Sequence, residues 1–308
     1  MPRIRILATG GTIAGASDPA GDGARYVAGV VDVDRLVGQV TGLSALAQVD
    51  AEQVLALDSK DMTPGHWQVL RPRICDALRD PAVDGVVILH GTDTLEETAW
   101  FLHLTLPADK PVVLTGAMRP ADHPQADGPA NIVAAVSHAA AGAPGVRIVL
   151  NGGPWQAREL VKAQTLGLDA FSAGASTAPL RSAGCFAHLD NAALPRVDIL
   201  PGYAGAPADL IDACVTAGAR GLVLALAGHG SVPAAWVPAL RRARNAGVRL
   251  LRASRCAGPV VHNGNADDDG EGYLTAGDLP PLKARIALML ALADGMSFHA
   301  TGERLATL

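Results

Sequence analysis

Ile4-Arg-Ile-Leu-Ala-Thr-Gly-Gly-Thr-Ile-Ala-Gly15 decides the architecture. The apolar run Ile4–Ala8 reads as a buried strand, the Gly10-Gly11 pair as a tight turn, and Thr12 emerges at the strand's C-terminal end. In open α/β sheets ligands sit at that end, and paired glycines let a substrate approach the main chain. The same pattern recurs in the apolar runs Gly85–Leu89, Pro111–Leu114 and Val146–Leu150. None alternates with polar residues as a half-exposed strand would, so both faces of the sheet are expected to be covered. Helix-like stretches lie between and around them, over Val31–Val40, His66–Leu78, Thr94–Leu104 and Gly128–Ala141. This alternation predicts an α/β fold with a mainly parallel sheet flanked by helices. A phosphate-binding loop is the rival reading of the first turn, but there is no Gly-Lys-Ser/Thr, and the glycine spacing is not G-x-G-x-x-G.

The alternation stops over Arg181–Pro195 and restarts with strands at Val197–Leu200, Gly221–Leu226 and Val248–Arg252. Helices are expected near Ala208–Ala217, Ala235–Ala246 and Pro281–Ala293. This gives a larger N-terminal α/β domain (1–180), a linker (181–195) and a smaller parallel-sheet domain (196–308). The length of 308 residues suits two domains. Asn263–Gly272, with its run of aspartates, reads as an exposed acidic turn lacking calcium-loop spacing.

Composition narrows the function. The chain is 49% hydrophobic and 18% charged, with a mean hydropathy of +0.23. A membrane span needs about 20 apolar residues, and the longest run here, Ile286–Ala293, reads as a core helix. A net charge of −5 and no Lys/Arg run argue against nucleic acid. Arg241, Arg242 and Arg244 read as the solvated end of a helix. The four cysteines carry no C-x-x-C pair, which points to reduced thiols and no metal. No apolar region of about 7–15 residues opens the chain. The expectation is therefore the cytoplasm, or the periplasm if a leader has been removed.

Three further stretches carry chemistry. In Val86-Val-Ile-Leu-His-Gly-Thr-Asp-Thr-Leu-Glu-Glu-Thr98, Thr94 and Glu97 have capping-box spacing. That accounts for the helix start but not for His90-Gly-Thr-Asp93 before it, where a hydroxyl and a carboxylate reach the same sheet edge as Thr12. Lys162, within Ala157-Arg-Glu-Leu-Val-Lys-Ala-Gln-Thr165, is by default a surface residue; drawn into a dry pocket it becomes a base. Leu57-Asp-Ser-Lys-Asp-Met-Thr63 puts Asp58 and Ser59 in a turn. The glycines between Ala14 and Val30 suit a mobile lid that would carry Tyr26.

Taken in order, Thr9-Gly-Gly-Thr-Ile-Ala-Gly15, His90-Gly-Thr-Asp-Thr-Leu-Glu-Glu-Thr-Ala99, Gly116-Ala-Met-Arg-Pro120 and Ala126-Asp-Gly-Pro129 resemble the bacterial L-asparaginase/glutaminase family, in its type II branch. The resemblance implies hydrolysis of L-asparagine to L-aspartate and ammonia through a threonine acyl-enzyme, without cofactor or metal. The alternative is a glutaminase-asparaginase or broader amidase. It makes Thr12 the nucleophile with Tyr26 beside it, and Thr92, Asp93 and Lys162 a second catalytic group. Gly11, Asp58, Ser59, Gly91, Thr92, Asp93 and the Ala117 carbonyl would hold substrate, with Ser231 supplied by a neighbouring subunit of a homotetramer, a dimer of dimers. Backbone N–H groups of Gly11, Thr12 and Thr92 are candidates for the oxyanion. Two departures stand out. Lys60 follows Ser59 where many relatives have Gln, and would repel a substrate ammonium unless an acid such as Asp61 pairs it. Ser231 stands where Asn is frequent, which leaves room for a longer side chain.

Overall fold

The computed structural model describes residues 1–17, 26–107, 109–174, 183–190, 192–256, 258–260, 268 and 270–308. It divides into two compact units, one of Met1–Ala173 with Ala183–Ala187, the other including His188–Leu308.

The first unit begins with β1 (Arg3–Gly10), a short hairpin of β2 (Ala16–Ser17) and β3 (Tyr26–Val27), and two short helices, α1 (Val33–Gly38) and α2 (Leu43–Leu46). Then come β4 (Gln48–Leu57), α3 (Pro64–Arg79), β5 (Gly85–Leu89), α4 (Leu95–Thr105), β6 (Pro111–Thr115) and α5 (Gly128–Ala140). It closes with β7 (Gly145–Leu150), β8 (Gly153–Gln156), β9 (Leu160–Lys162) and β10 (Phe171–Ala173). Six strands form one sheet in the order β4-β1-β5-β6-β7-β8, parallel except for β8. From β1 the chain moves one way to β4, then crosses back to β5, so the strand order reverses at the β1/β5 boundary. A crevice opens at the C-terminal ends of the strands at such a switch point.

The apolar runs of β5 and β6 are buried throughout. One face, through Ile4, Ile6, Val87, Leu89 and Val113, packs on α1, α2 and α5; α3 and α4 cover the other. Each such side chain taken from water contributes about 1.5–3 kcal/mol, so this double-sided core fixes the strand ends that carry the site. Part of the expected connector packs here too: Gly184 and Phe186 donate backbone N–H bonds to the His103 and Leu104 carbonyls, each at 2.8 Å. Residues 181, 182 and 191 lie outside the described residues.

The second unit has four parallel strands, β11 (Val197–Pro201), β12 (Gly221–Leu226), β13 (Arg249–Ser254) and β14 (Leu274–Thr275), in sequential order. Helices α6 (Asp209–Thr216) and α7 (Val237–Asn245) pair with each other, and α8 (Pro281–Ala293) packs on β11, β12 and β13. The two-sheet α/β expectation holds. Two readings are corrected here. Asp268, in the stretch read as an exposed acidic turn, is buried, with its carboxylate 3.4 Å from the buried Arg252 guanidinium and accepting from the Val232 N–H at 3.0 Å. A buried carboxylate needs such partners; residues 263–267 and 269 lie outside the described residues. The sequence reading also stops at α8, whereas a further helix, α9 (Phe298–Thr307), follows, with the Arg249 guanidinium 5.5 Å from the Phe298 ring centre. Arg241 and Arg244 pair with Glu271, and Arg242 with Asp212, so the exposed end of α7 is neutralised by acids. Among the described residues no helix is long and apolar enough to cross a membrane.

Candidate active site

β1 ends at a backbone that only glycine tolerates. Gly11 has φ 81° and ψ −174°, and a side chain there would overlap the Gly91 backbone. Two glycines from adjacent strand ends therefore press together and bring the following threonines to one place. Thr12 opens a short 3-10 turn, Thr12–Ala14, and is nearly buried. Its hydroxyl shares a 2.8 Å hydrogen bond with the Tyr26 hydroxyl. Tyr26 stands on β3, opposite Ser17 of β2, and Ser17 is held by the Asp122 carboxylate at 2.8 and 3.0 Å. Residues 18–25, the middle of the expected lid, lie outside the described residues.

The β5 end supplies the second group. Thr92 is buried, and Lys162 Nζ donates to its Oγ1 at 2.9 Å and to Asp93 Oδ1 at 2.5 Å. An ammonium only donates, so it occupies a lone pair of Thr92 and leaves the threonine O–H free to point elsewhere. Lys162 ends β9, which is braced by antiparallel pairing with β10. Its side chain is 18% exposed against 54% for Asp93; Lys162 is withdrawn from water while the carboxylate still faces it.

Ser59, buried, lies against Gly91, where a Cβ would stand 2.5 Å from Ser59 Oγ. Its hydroxyl accepts the Asp93 N–H at 3.1 Å, and its carbonyl accepts from Thr94 Oγ1 at 2.8 Å. That second bond corrects the capping-box reading: Thr94 sits at the N-cap of α4, but its hydroxyl caps nothing because it is turned toward the Ser59 carbonyl. Asp58 caps the Ser59 turn through the Lys60 N–H and pairs with Lys60 Nζ; Asp61 adds a second carboxylate at 3.8 Å. The hydrogen bond to Asp58 raises the Lys60 pKa, and the cation is spent on its own turn.

Of the three proposed oxyanion donors, Gly11 N–H is already given to the Leu57 carbonyl at 2.8 Å. It is therefore not available. The Thr12 and Thr92 N–H groups have no acceptor among the described residues. Sequence reasoning also missed the support behind Thr92. His90 is fully buried, and burial pushes its pKa down to about 4, leaving the ring neutral. Its Nδ1 bonds the Gly91 carbonyl at 2.7 Å. A carbonyl only accepts, so Nδ1 carries the proton; Nε2 then accepts from Thr98 Oγ1 (3.0 Å), which takes the Trp67 Nε1–H (2.9 Å). A histidine directly before a glycine turn, at the end of a wholly apolar strand, was the signal available for it.

Ala117 follows β6 and is buried. Ser231 lies in the second unit, exposed, after the turn Gly228–Gly230; the Ser254 hydroxyl holds the Gly228 carbonyl at 2.8 Å. The geometry thus joins Thr12 to Tyr26, Thr92 and Asp93 to Lys162, and Asp93 to Ser59.

Residues 3–187 match the model of the asparaginase N-terminal domain, and residues 196–303 that of the glutaminase/asparaginase C-terminal domain. The chain belongs to the asparaginase family. L-asparaginase 2 of Bacillus subtilis (strain 168) is 39% identical, over 95% of this chain and 83% of that protein. The glutaminase-asparaginase of Pseudomonas fluorescens biotype A is 36% identical, over 95% and 86%. The crystal structure of a probable cytoplasmic L-asparaginase from Campylobacter jejuni superposes with a TM-score of 0.90 at 35% identity, covering all of both chains. As an asparaginase-family member the protein is an amidohydrolase.

Proposed function

We propose that the protein hydrolyses L-asparagine to L-aspartate and ammonia through an ester on Thr12. The observation that carries this is the meeting of Thr12–Tyr26 and Thr92–Lys162–Asp93 at the ends of adjacent strands, locked by Gly11 against Gly91. Thr12 Oγ1 attacks the side-chain carboxamide carbon while Tyr26 orients its hydroxyl. The C–N bond breaks, and the proton lost by Thr12 ends on the departing nitrogen, giving ammonia and a Thr12 ester. Water then adds to the ester carbon, the bond from that carbon to Thr12 Oγ1 breaks, and a water proton returns to Thr12 as L-aspartate leaves. A threonine hydroxyl is a weak nucleophile and needs a base; Lys162, neutral when it acts, takes the Thr12 proton through the Thr92 hydroxyl and passes it to the departing nitrogen. The Thr12 and Thr92 N–H groups stabilise the oxyanion, each worth about 3–4 kcal/mol. Ser59, Asp93 and the turn at Asp58 take the substrate's α-carboxylate and α-ammonium, and the Ala117 carbonyl takes an amide N–H. Gly11 and Gly91 keep the backbone low enough for this approach. Ser231 of one subunit completes the site of another in a homotetramer. Free thiols at all four cysteines suit the cytoplasm.

A second reading has support of its own: the Pseudomonas relative is named glutaminase-asparaginase, and the short Ser231 leaves room for one more methylene. Steady-state ammonia release from both amides tests the two together. Thr12→Ala is expected to lower turnover at least about 10³-fold with an unchanged circular dichroism spectrum; full activity in that variant overturns the mechanism. A wild-type preference for asparagine above about 10³-fold, roughly 4 kcal/mol, overturns the relaxed-length reading.

A further inference from the structure

Asn131 makes the contacts of a joint. It is buried at the start of α5, and its whole amide is used. Nδ2 donates to the Gly116 carbonyl at 2.9 Å and to Asp127 Oδ2 at 3.2 Å, while Oδ1 accepts the Asn151 N–H at 3.1 Å. Because Gly116 offers only an acceptor and Asn151 only a donor, the amide has one orientation. Asp127 works from the same side: it stands at the α5 N-cap without capping the helix, and instead accepts the Met118 and Arg119 N–H groups at 2.9 and 3.0 Å. The backbone is thus held on both sides of Ala117. The Ala117 carbonyl has no donor among the described residues, although Ala117 is buried. An unpaired carbonyl there is costly unless a ligand pairs it. The loop also abuts the reacting groups: a Cβ on Gly116 would lie 3.2 Å from Thr92 Cγ2, and one on Gly128 3.1 Å from Ile13 Cγ1 and 3.6 Å from Ala117 Cβ.

We infer that Asn131, with Asp127, is a positioning residue that aims the Ala117 carbonyl at the N–H of the departing amide, so that it acts on amide cleavage and not on acyl transfer in general. It rests on the reading of Ala117 given above. An ester substrate separates the two roles, because it offers no N–H to that carbonyl while reacting at the same Thr12.

The experiment measures kcat and KM of wild type, Asn131→Ala and Asp127→Asn with L-asparagine and with the β-methyl ester of L-aspartate. Asp127→Asn keeps an acceptor oxygen and perturbs the loop more gently, so it serves if Asn131→Ala does not fold. The expected result is a loss of about 10²-fold in kcat for the amide, the scale of a misplaced group, against no more than about 3-fold for the ester. Equal losses on both substrates, or no loss on either, overturn the inference. If the wild type cleaves the ester but releases no ammonia from the amide, the proposed function fails first and the role of Asn131 with it.

Discussion

A methyl group on Gly11 has nowhere to go. The backbone there, φ 81° and ψ −174°, lies in a region essentially reserved for glycine, and entering it with a side chain costs about 1–3 kcal/mol. The new atom would also overlap Gly91. Gly11→Ala is therefore expected to lower stability by at least about 3 kcal/mol, on the scale of overpacking plus strain, and to part Thr12 from Thr92 so that ammonia release is lost. Urea unfolding and the ammonia assay read the two effects; a stable and active variant sinks this account of the turn. At this scale the sequence was readable where a residue's place follows from the strand before it, as for Thr12 after β1 and Thr92 and Asp93 after β5. It was less so where the job depends on a partner far along the chain. Thr94 has capping spacing, yet Ser59, 35 positions earlier, takes its hydroxyl; Asn131 reaches Gly116 and Asn151, and no local pattern announces either bond.

Among the elements, the strands buried on both faces were legible because a continuous apolar run has few other uses: β5 spans Gly85–Leu89 as expected, and helix α8 covers Pro281–Ala293. The sheet edges were not. β4, at one edge, is half-exposed along most of its length and carries Asp50, Glu52 and Gln53, so its apolar run is confined to Val54–Leu57 at its end. At the other edge β8 contains Pro154, which only an edge strand accommodates readily. Between β7 and β8, Asn151 and Gly152 have φ 45° and 81°, and Leu150 pairs with Gly153 across them. This is a two-residue hairpin loop of the Asn-Gly kind, a strong local signal that the strand reading ending at Leu150 passed over. The loop matters because it turns the chain back toward β9 and Lys162. Asn tolerates this left-handed backbone and Ala does not. Asn151→Ala is expected to cost about 1–2 kcal/mol, and Asn151→Gly less, since glycine keeps the turn while losing the bond to Asp169. The urea midpoint at constant slope measures both; equal costs in the two variants would show that the Asp169 bond, and not the turn, holds the hairpin.

For the molecule as a whole, one part of the pH dependence of stability lies in the first unit, where, among the described residues, burial lowers the pKa of two histidines, His90 and His103. Each is held at about 4 against an ordinary 6.5; for His103 the nearby Arg147 charge adds to the effect of burial. Their contribution to stability is complete above about pH 6.5, where neither folded nor unfolded chain binds the proton. Between there and about pH 4 the unfolded chain takes it up and the folded one does not, so stability falls with pH, by about 3 kcal/mol per histidine in all. The two differ in what else they do. His90 holds the Gly91 carbonyl and cannot be replaced without touching the site. His103 stacks on Trp100, with ring centres 5.4 Å apart, and neither of its ring nitrogens has a hydrogen-bond partner among the described residues. A buried polar atom without a partner is a cost that an apolar ring of the same shape removes. His103→Phe is therefore expected to be at least as stable as wild type near pH 7, and to lose less on acidification, since one of the two linked protons is gone. Urea unfolding of both proteins at several values between about pH 7 and about pH 5 gives the comparison, and the exposed carboxylates, common to both, cancel in the difference. Parallel stability curves would mean that His103 binds its proton in the folded state as readily as in the unfolded one, and would overturn this account.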